Sequence, residues 1–326
     1  MKRPLLLLVG VFLALALGSW TQLAGLSFWS QTNISQSSEI SHFVFYQLRV
    51  PRLIIAFITG STLSLVGAAF QTLFRNPLAT PSTVGTTAGA ALGALLALAF
   101  GLRGSGVLPA ATFFAFIGAL VTSSLVLSIA SSARARVEDI LLAGIAVTLG
   151  AGAISQGLHS ISDAQVLFAA AQWSLGQLPQ VGYDRVVLLV VPALVCAALI
   201  FSQGRALEAL SLGEDWAKSV GVETKRVRRV VLVGGCLGVG ASVALCGPIA
   251  FVGLLVPHLV RRILGANMIF LLPLSWVSGG AFLILCDALA KNILPQGELP
   301  VGVLTASLGA PALFLLIIKR TPRTGL

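Results

Sequence analysis

The stretch that decides the fold is RVVLVGGCLGVGASVALCGPIAFVGLLVPHLVRRIL, residues 229–264. It is apolar enough for a membrane, but two full transmembrane helices need roughly 40 residues, and only thirty-six are present here. Gly247-Pro248 lies between the two halves, and Pro257 lies inside the second. We therefore expect a short or broken helix. Broken backbone at membrane depth is tolerated only where protein or a water-filled cavity covers it, so Gly247, Pro248, Pro257 and His258 are candidate residues of a transport pathway.

The composition places the rest of the chain in a membrane as well. Hydrophobic residues make up 56% of the 326 residues and charged residues 10%, which is too little polar surface for a soluble domain of this length. Apolar segments recur from end to end, so the sequence predicts an all-α polytopic membrane protein forming a single domain over residues 1–326. The ten predicted spans are 4–25, 47–70, 84–102, 107–131, 138–159, 184–202, 229–247, 248–264, 268–290 and 300–319.

The charge distribution predicts the orientation of these spans. The first span follows two basic residues, as in a signal peptide, but no clean A-x-A site follows it, so we expect an uncleaved first helix. With both termini in the cytoplasm, sixteen of the 21 basic residues fall inside, as the positive-inside rule requires. This placement also argues against nucleic acid as the reason for the net charge of +10. The five basic residues left outside are Arg49, Arg52, Arg103, Arg185 and Lys291.

Catalytic and metal-binding motifs are scarce. No GxxxxGK[ST] phosphate loop and no HExxH occurs, so we expect no ATP hydrolysis and no bound cofactor or metal on this chain. Ser242 with His258 or His159 could be imagined as a protease dyad, but a lone GxS is common. The cysteines have no CxxC spacing and are expected to be small buried hydrophobes. They are Cys196, Cys236, Cys246 and Cys286.

The sequence offers little to couple transport to an ion gradient. Asp287 is the only acid well inside a predicted span, and it lies four residues before Lys291, with which it could pair on a helix. An ion-coupled carrier usually has more buried carboxylates. We therefore expect the energy source on another chain, with a self-sufficient carrier or channel as the alternative.

One polar segment interrupts the apolar spans, ALSLGEDWAKSVGVETKRVRR, residues 209–229. Leu212, Trp216 and Val220 recur every four residues and predict one apolar helix face, and Gly221 is placed to end that helix in a left-handed conformation. A cytoplasmic helix with such a face can lie in the groove of a partner, so we interpret residues 204–229 as a coupling segment that binds an ATPase. We expect part of the apolar face to contact the partner and part to pack on the membrane domain. The alternative is an ordinary solvated loop helix.

Several motifs resemble a known family, the permease subunits of ATP-binding-cassette importers for iron-siderophores, haem and vitamin B12. The resemblance covers nearly the whole chain. It implies the type II importer fold with ten helices, in a bacterial inner membrane. It also implies a second permease copy (identical or a paralogue), two cytoplasmic ATPase subunits, and a periplasmic or lipid-anchored binding protein. The motifs are RVPRLI (49–54), GAAFQTLFRNPLATPSTVG (67–85), LLAG (141–144), LSLGEDWAKSVGV (210–222), GPIAFVGLLVPHLVRR (247–262) and ELPVGVLTASLGAP (298–311).

The resemblance also implies roles for particular residues. Arg49, Arg52 and Lys291 match basic positions that receive acidic side chains of the binding protein in cobalamin importers, although anchoring at the membrane interface is an alternative. The positions that match the coupling helix are Leu212, Gly213, Glu214, Asp215, Ala217 and Gly221. The positions that match the cytoplasmic gate are Arg136, Val137, Glu138 and Asp139.

The gate positions bear on the substrate. They lack the short polar side chains found at this place in the cobalamin permease. We therefore expect an iron chelate, a siderophore or haem, as the substrate, with cobalamin as the alternative.

Overall fold

The computed structural model describes residues 42–102, 104, 109–130, 137–294 and 297–318. Within these ranges the secondary structure is helical, with a 3-10 helix, Pro81–Val84, and a π-helical turn, Val44–Arg49, beside the α-helices. The helices are α1 (Val50–Leu73), α2 (Thr86–Ala99), α3 (Ala110–Ala130), α4 (Val137–Ile161), α5 (Ala164–Ser174), α6 (Tyr183–Ser202), α7 (Gly204–Leu212), α8 (Glu214–Ser219), α9 (Thr224–Cys246), α10 (Val252–Leu264), α11 (Met268–Ile293) and α12 (Val301–Ile318).

Six of the described helices are long and apolar enough to cross a membrane. They are α1 with its π-helical turn, α3, α4, α6, α9 and α11, and each corresponds to a predicted span. The predicted spans 84–102, 248–264 and 300–319 correspond to the shorter helices α2, α10 and α12. The predicted first span, 4–25, lies outside the described residues. Helix α5 was not predicted from the sequence.

The core of the domain is an antiparallel pair, α1 and α11. Gly60 faces Gly279 so closely that a Cβ on either residue would collide with the backbone of the other. Small residues allow this approach and maximise van der Waals contact in a membrane, where lipid supplies no hydrophobic force between helices. The two ends of the pair are joined by polar contacts, Arg52 to Asp287 at one end and Thr72 to Met268 at the other.

A second antiparallel pair, α2 and α3, packs in the same way. A Cβ on Gly89 or on Gly118 would collide with the facing helix, and the Thr86 hydroxyl lies 3.1 Å from the Ser123 hydroxyl. Helix α9 packs against both pairs and against α6, and most of its side chains are buried. These glycines therefore act through close packing between helices.

The stretch 229–264 is broken, as predicted. Helix α9 ends at Cys246, residues 247–251 are not helical, and α10 runs for only 13 residues, Val252–Leu264. A 13-residue helix is about 20 Å long, which is too short to cross a hydrocarbon core of about 30 Å. The Cys246 thiol lies 3.6 Å from the Thr59 hydroxyl, and Thr59 is about 10 Å along α1 from Arg52. The chain therefore reverses within the membrane.

The two ends of the domain differ in their charged contacts. One end carries α7, α8, the start of α9 and the end of α10, with the basic residues Lys218, Arg228 and Arg261. The opposite end carries the start of α1 and the end of α11. The bias of basic residues makes the first end cytoplasmic, and we call these two ends the inner end and the outer end.

Candidate functional site

The coupling segment forms two short helices at the inner end rather than one. Helix α7 ends at Leu212 and α8 begins at Glu214, because Gly213 between them has a φ of +142°, which side chains rarely adopt. Gly221 has a φ of +82° and follows the end of α8, which confirms the predicted left-handed termination. A Cβ on Gly213 or Gly221 would meet no atom within 4 Å. Both glycines are therefore required by backbone conformation and not by close contact within this chain.

The apolar face of the coupling segment lies on the surface. Leu212, Trp216 and Val220 are 63%, 48% and 53% exposed. About half or more of each side chain is thus open to a partner, and the division of this face between a partner and the membrane domain stays a prediction. Ala217 is fully buried, so this residue packs within the permease, and its contact with an ATPase stays a prediction. Exposed large apolar side chains grouped at a cytoplasmic end are typical of a protein-binding surface.

Glu214 ties α8 to α9. Its carboxylate lies 3.1 Å from the Lys218 amine and 3.6 Å from the Arg228 guanidinium, and it accepts a hydrogen bond from the Thr224 hydroxyl at 3.4 Å. Partial burial raises the pKa of Glu214, but the hydrogen bond and charge of Lys218 and the charge of Arg228 outweigh it, so its pKa is lower than usual. The carboxylate is therefore ionised at neutral pH. The neighbouring Asp215 is exposed.

A second acid, Glu208, ties the coupling segment to α11. Its carboxylate accepts a hydrogen bond from the backbone N–H of Met268, the first residue of α11, and the Asn267 side chain accepts from the N–H of Ile269 at 3.0 Å. Both contacts satisfy donors that a helix start leaves unpaired. Glu208 was not predicted from the sequence, because sixty residues separate it from the helix that it caps, and no local pattern marks such a contact.

The broken stretch borders a cavity of about 310 Å³. Phe251 has a φ of +66°, which is rare for a residue with a side chain, and its side chain packs so closely on α12 that Gly309 has no room for a Cβ. Pro257 is buried within α10, and His258 is partly buried. The cavity is lined by Leu63, Thr80, Pro81, Ser82, Thr87, Val239, Val243, Pro248, Ile249, Ala250, Phe251, Gly253 and Leu254.

The segment that follows α5 also packs against the broken stretch. The backbone N–H of Gln177 donates to the carbonyl of Cys246 at 2.8 Å, and the N–H of Gly302 donates to the carbonyl of Gly176 at 3.0 Å. A Cβ on Gly247 would collide with the carbonyl of Trp173. Non-helical backbone from both segments is thus paired and covered by protein, as membrane depth requires.

A charged cluster lies at the outer end between α1, α11 and the segment before α12. Arg52 donates to both carboxylate oxygens of Asp287, at 2.8 Å and 3.2 Å, and pairs with Glu298 at 2.7 Å. Lys291 lies 3.5 Å from Asp287, which confirms the pairing predicted from their spacing. The Arg52 and Asp287 side chains are 6% and 0% exposed, so two positive and two negative charges balance in a largely buried cluster.

The cluster bears on the docking prediction. Arg52 is buried and already pairs with two carboxylates, so a binding protein would have to displace Glu298 to meet its charge, and the docking role of Arg52 stays a prediction. Arg49 and Lys291 are partly exposed, and their docking role stays a prediction. Glu298 was not singled out from the sequence, since an acid in a loop carries no signal of its burial or partners.

The predicted gate positions lie at the start of α4. Val137 is the first residue of this helix, and Glu138 and Asp139 are exposed in its first turn, where negative charge suits the helix dipole. Arg136 lies outside the described residues. The gate role of these four residues stays a prediction.

The protease alternative has no geometric support. Ser242 is buried within α9, and its hydroxyl donates to the carbonyl of Gly238 in the same helix at 2.9 Å. The four cysteines are free and buried, as predicted.

The polytopic helical fold with its break in the membrane agrees with the class of protein that comparison with known sequences shows. The chain is the permease subunit of an ATP-binding-cassette importer, a multi-pass protein of the bacterial inner membrane. It belongs to the FecCD transport family, whose sequence profile matches residues 6–319.

Individual relatives agree with this assignment. The hemin transport system permease protein HmuU of Yersinia pestis is 36% identical over 325 residues, covering 98% of this chain and 96% of the relative. The vitamin B12 import system permease protein BtuC of Vibrio vulnificus is 36% identical over 290 residues, covering 87% and 86%. A solved structure described as an inward-facing metal-chelate type ABC transporter is 30% identical, with a TM-score of 0.84 over 97% of this chain and 99% of that one.

Proposed function

We propose that this permease carries an iron chelate, a siderophore or haem, across the inner membrane after a periplasmic or lipid-anchored binding protein delivers it. The transport role is supported by the break in the helices at residues 247–251, which is covered by protein and borders a cavity. The preference for an iron chelate is supported by the hemin permease, which matches the chain almost end to end. Cobalamin is the alternative, because vitamin B12 permeases match the chain nearly as well, one of them over 98% of its length.

The working assembly that we propose contains two permease copies, two ATPase subunits at the inner end and one binding protein at the outer end. The exposed apolar side chains of the coupling segment support the ATPase contact. The partly exposed Arg49 and Lys291 support docking of an acidic surface outside. ATP and magnesium would bind to the ATPase subunits alone.

The experiment that tests the substrate is ATP hydrolysis by the complete assembly in proteoliposomes. Haem, a ferric hydroxamate and cyanocobalamin are loaded in turn onto the binding protein encoded beside this permease. An iron chelate is expected to stimulate hydrolysis and to accumulate in the vesicles, and cobalamin is not. Stimulation by cobalamin alone would overturn the iron-chelate proposal. Uptake by vesicles that lack the ATPase would favour a self-sufficient carrier instead.

A further inference from the structure

One carboxylate joins two parts of the outer end that are far apart in sequence. Oxygen Oε2 of Glu298 lies 2.7 Å from the Arg52 guanidinium, and oxygen Oε1 accepts a hydrogen bond from the Gln180 side chain at 3.1 Å. Arg52 is held firmly by Asp287. Glu298 therefore links the fixed α1–α11 pair to the segment 176–182.

The segment 176–182 covers the broken stretch. It is not helical, and it is attached there by the backbone hydrogen bond from Gln177 to Cys246. A Cβ on Gly176 would collide with the carbonyl of Pro248, and Pro248 also lines the cavity. Pro248 thus contacts the segment and also borders the cavity, so the segment covers this part of the break.

We propose that Glu298 is a positioning residue for transport, which holds the segment 176–182 against the broken stretch until Glu298 releases Arg52 or Gln180. Glu298 is 43% exposed whereas Arg52 is 6% exposed, so Glu298 is the member of the link that can leave. Arg52 keeps its bidentate contact with Asp287 when this happens. The cluster is then left with one excess positive charge, which a carboxylate of a docked binding protein would balance. This last step rests on the proposed function, and the role of Glu298 itself does not.

Labelling of the Cys246 thiol can be used to detect the movement of the segment 176–182 away from the broken stretch. This thiol is buried beside Thr59, and the carbonyl of Cys246 accepts the hydrogen bond that attaches the segment. We would replace the other three cysteines with alanine and measure the rate at which a charged maleimide labels Cys246 in purified protein in lipid nanodiscs. Glu298→Ala is expected to raise this labelling rate about tenfold or more, because losing one charge-assisted hydrogen bond shifts the equilibrium towards the open segment by about that factor. Gln180→Ala removes the same link from its other end and should raise the rate similarly, and the double variant should add little.

The matched control is Asp184→Ala, since Asp184 is an exposed acid at the start of α6, at the same end. Its labelling rate should stay at that of the parent. Unchanged rates in both Glu298→Ala and Gln180→Ala would overturn the proposal, and so would an equal rise in Asp184→Ala. If Glu298→Ala fails to fold, Gln180→Ala still tests the proposal, because Gln180 is not a member of the charged cluster. The assay needs no chelate, ATPase or binding protein, so its failure is distinguishable from failure of the proposed function.

Discussion

At the scale of single residues, the balance of buried charge decides what the outer end tolerates. Arg52 and Lys291 face Asp287 and Glu298, so the cluster is neutral as a whole. Removing one member leaves an uncompensated charge in a site with little water, which costs far more than the intact cluster contributes.

Asp287→Leu is therefore expected to destabilise the protein by about 3–5 kcal/mol, the usual cost of breaking a buried ion pair. The double variant Arg52→Met with Asp287→Leu leaves Lys291 and Glu298 to balance each other, and it should recover more than half of the loss. Thermal unfolding followed by tryptophan fluorescence in detergent measures both. An unchanged midpoint for Asp287→Leu would show that the cluster is hydrated and unimportant for stability.

At the scale of elements, the close α1–α11 contact predicts that adding a methyl group to either facing glycine lowers the stability of the protein. Gly60→Ala and Gly279→Ala each place a Cβ against the backbone of the facing helix, so each should cost about 1–3 kcal/mol of stability through overpacking. A Cβ on Gly150 of α4 would meet no atom within 4 Å. Gly150→Ala is thus the control, and it should be neutral or slightly stabilising, because alanine favours helix. The thermal midpoint in detergent distinguishes the two cases.

The coupling segment gives a second prediction at this scale. Trp216→Ala removes a large exposed apolar side chain and should reduce co-purification of the ATPase at least tenfold while the permease stays folded, as expected for an aromatic hot spot. Ala217→Trp should behave differently, because Ala217 is buried and a large side chain there would disturb the permease itself. Full recovery of the ATPase with Trp216→Ala would mean that the segment is only a solvated loop helix.

The elements show how far sequence reasoning reaches. Hydropathy located the six described helices that can cross a membrane, because length and apolar content determine which helices can do so. Three further predicted spans, 84–102, 248–264 and 300–319, correspond to shorter helices. Periodicity predicted one helix face for Leu212, Trp216 and Val220, but Gly213 breaks the helix, so Leu212 ends α7 and Trp216 lies in α8. Periodicity alone reveals neither such a break nor what covers a side chain. Helix α5 was missed because its 11 residues are too few for a span. The segment after it is positioned by single hydrogen bonds to distant residues, which leave no sequence pattern.

At the scale of the whole molecule, the two proposed partner surfaces lie at opposite ends of the membrane domain. Arg49→Glu should slow association of the binding protein and flatten its salt dependence, because like charges then meet across the interface, and it should leave ATPase recovery unchanged. Arg185→Glu, near the start of α6 at the same end, is the control. Surface plasmon resonance at two salt concentrations measures the association. Equal binding by Arg49→Glu and the parent would mean that Arg49 only anchors the helix at the membrane interface.

The antiparallel register of α1 and α11 has a consequence for how the chain can change in length. Eight residues from Arg52 to Gly60 match eight residues back from Asp287 to Gly279, and beyond the glycines twelve residues to Thr72 face eleven residues back to Met268. Deleting one residue from the middle of either helix would turn everything beyond it by about 100°. The glycine contact and one of the polar ends could then no longer form together. Insertions and deletions should therefore be confined to the connections between helices, while this pair varies only by substitution.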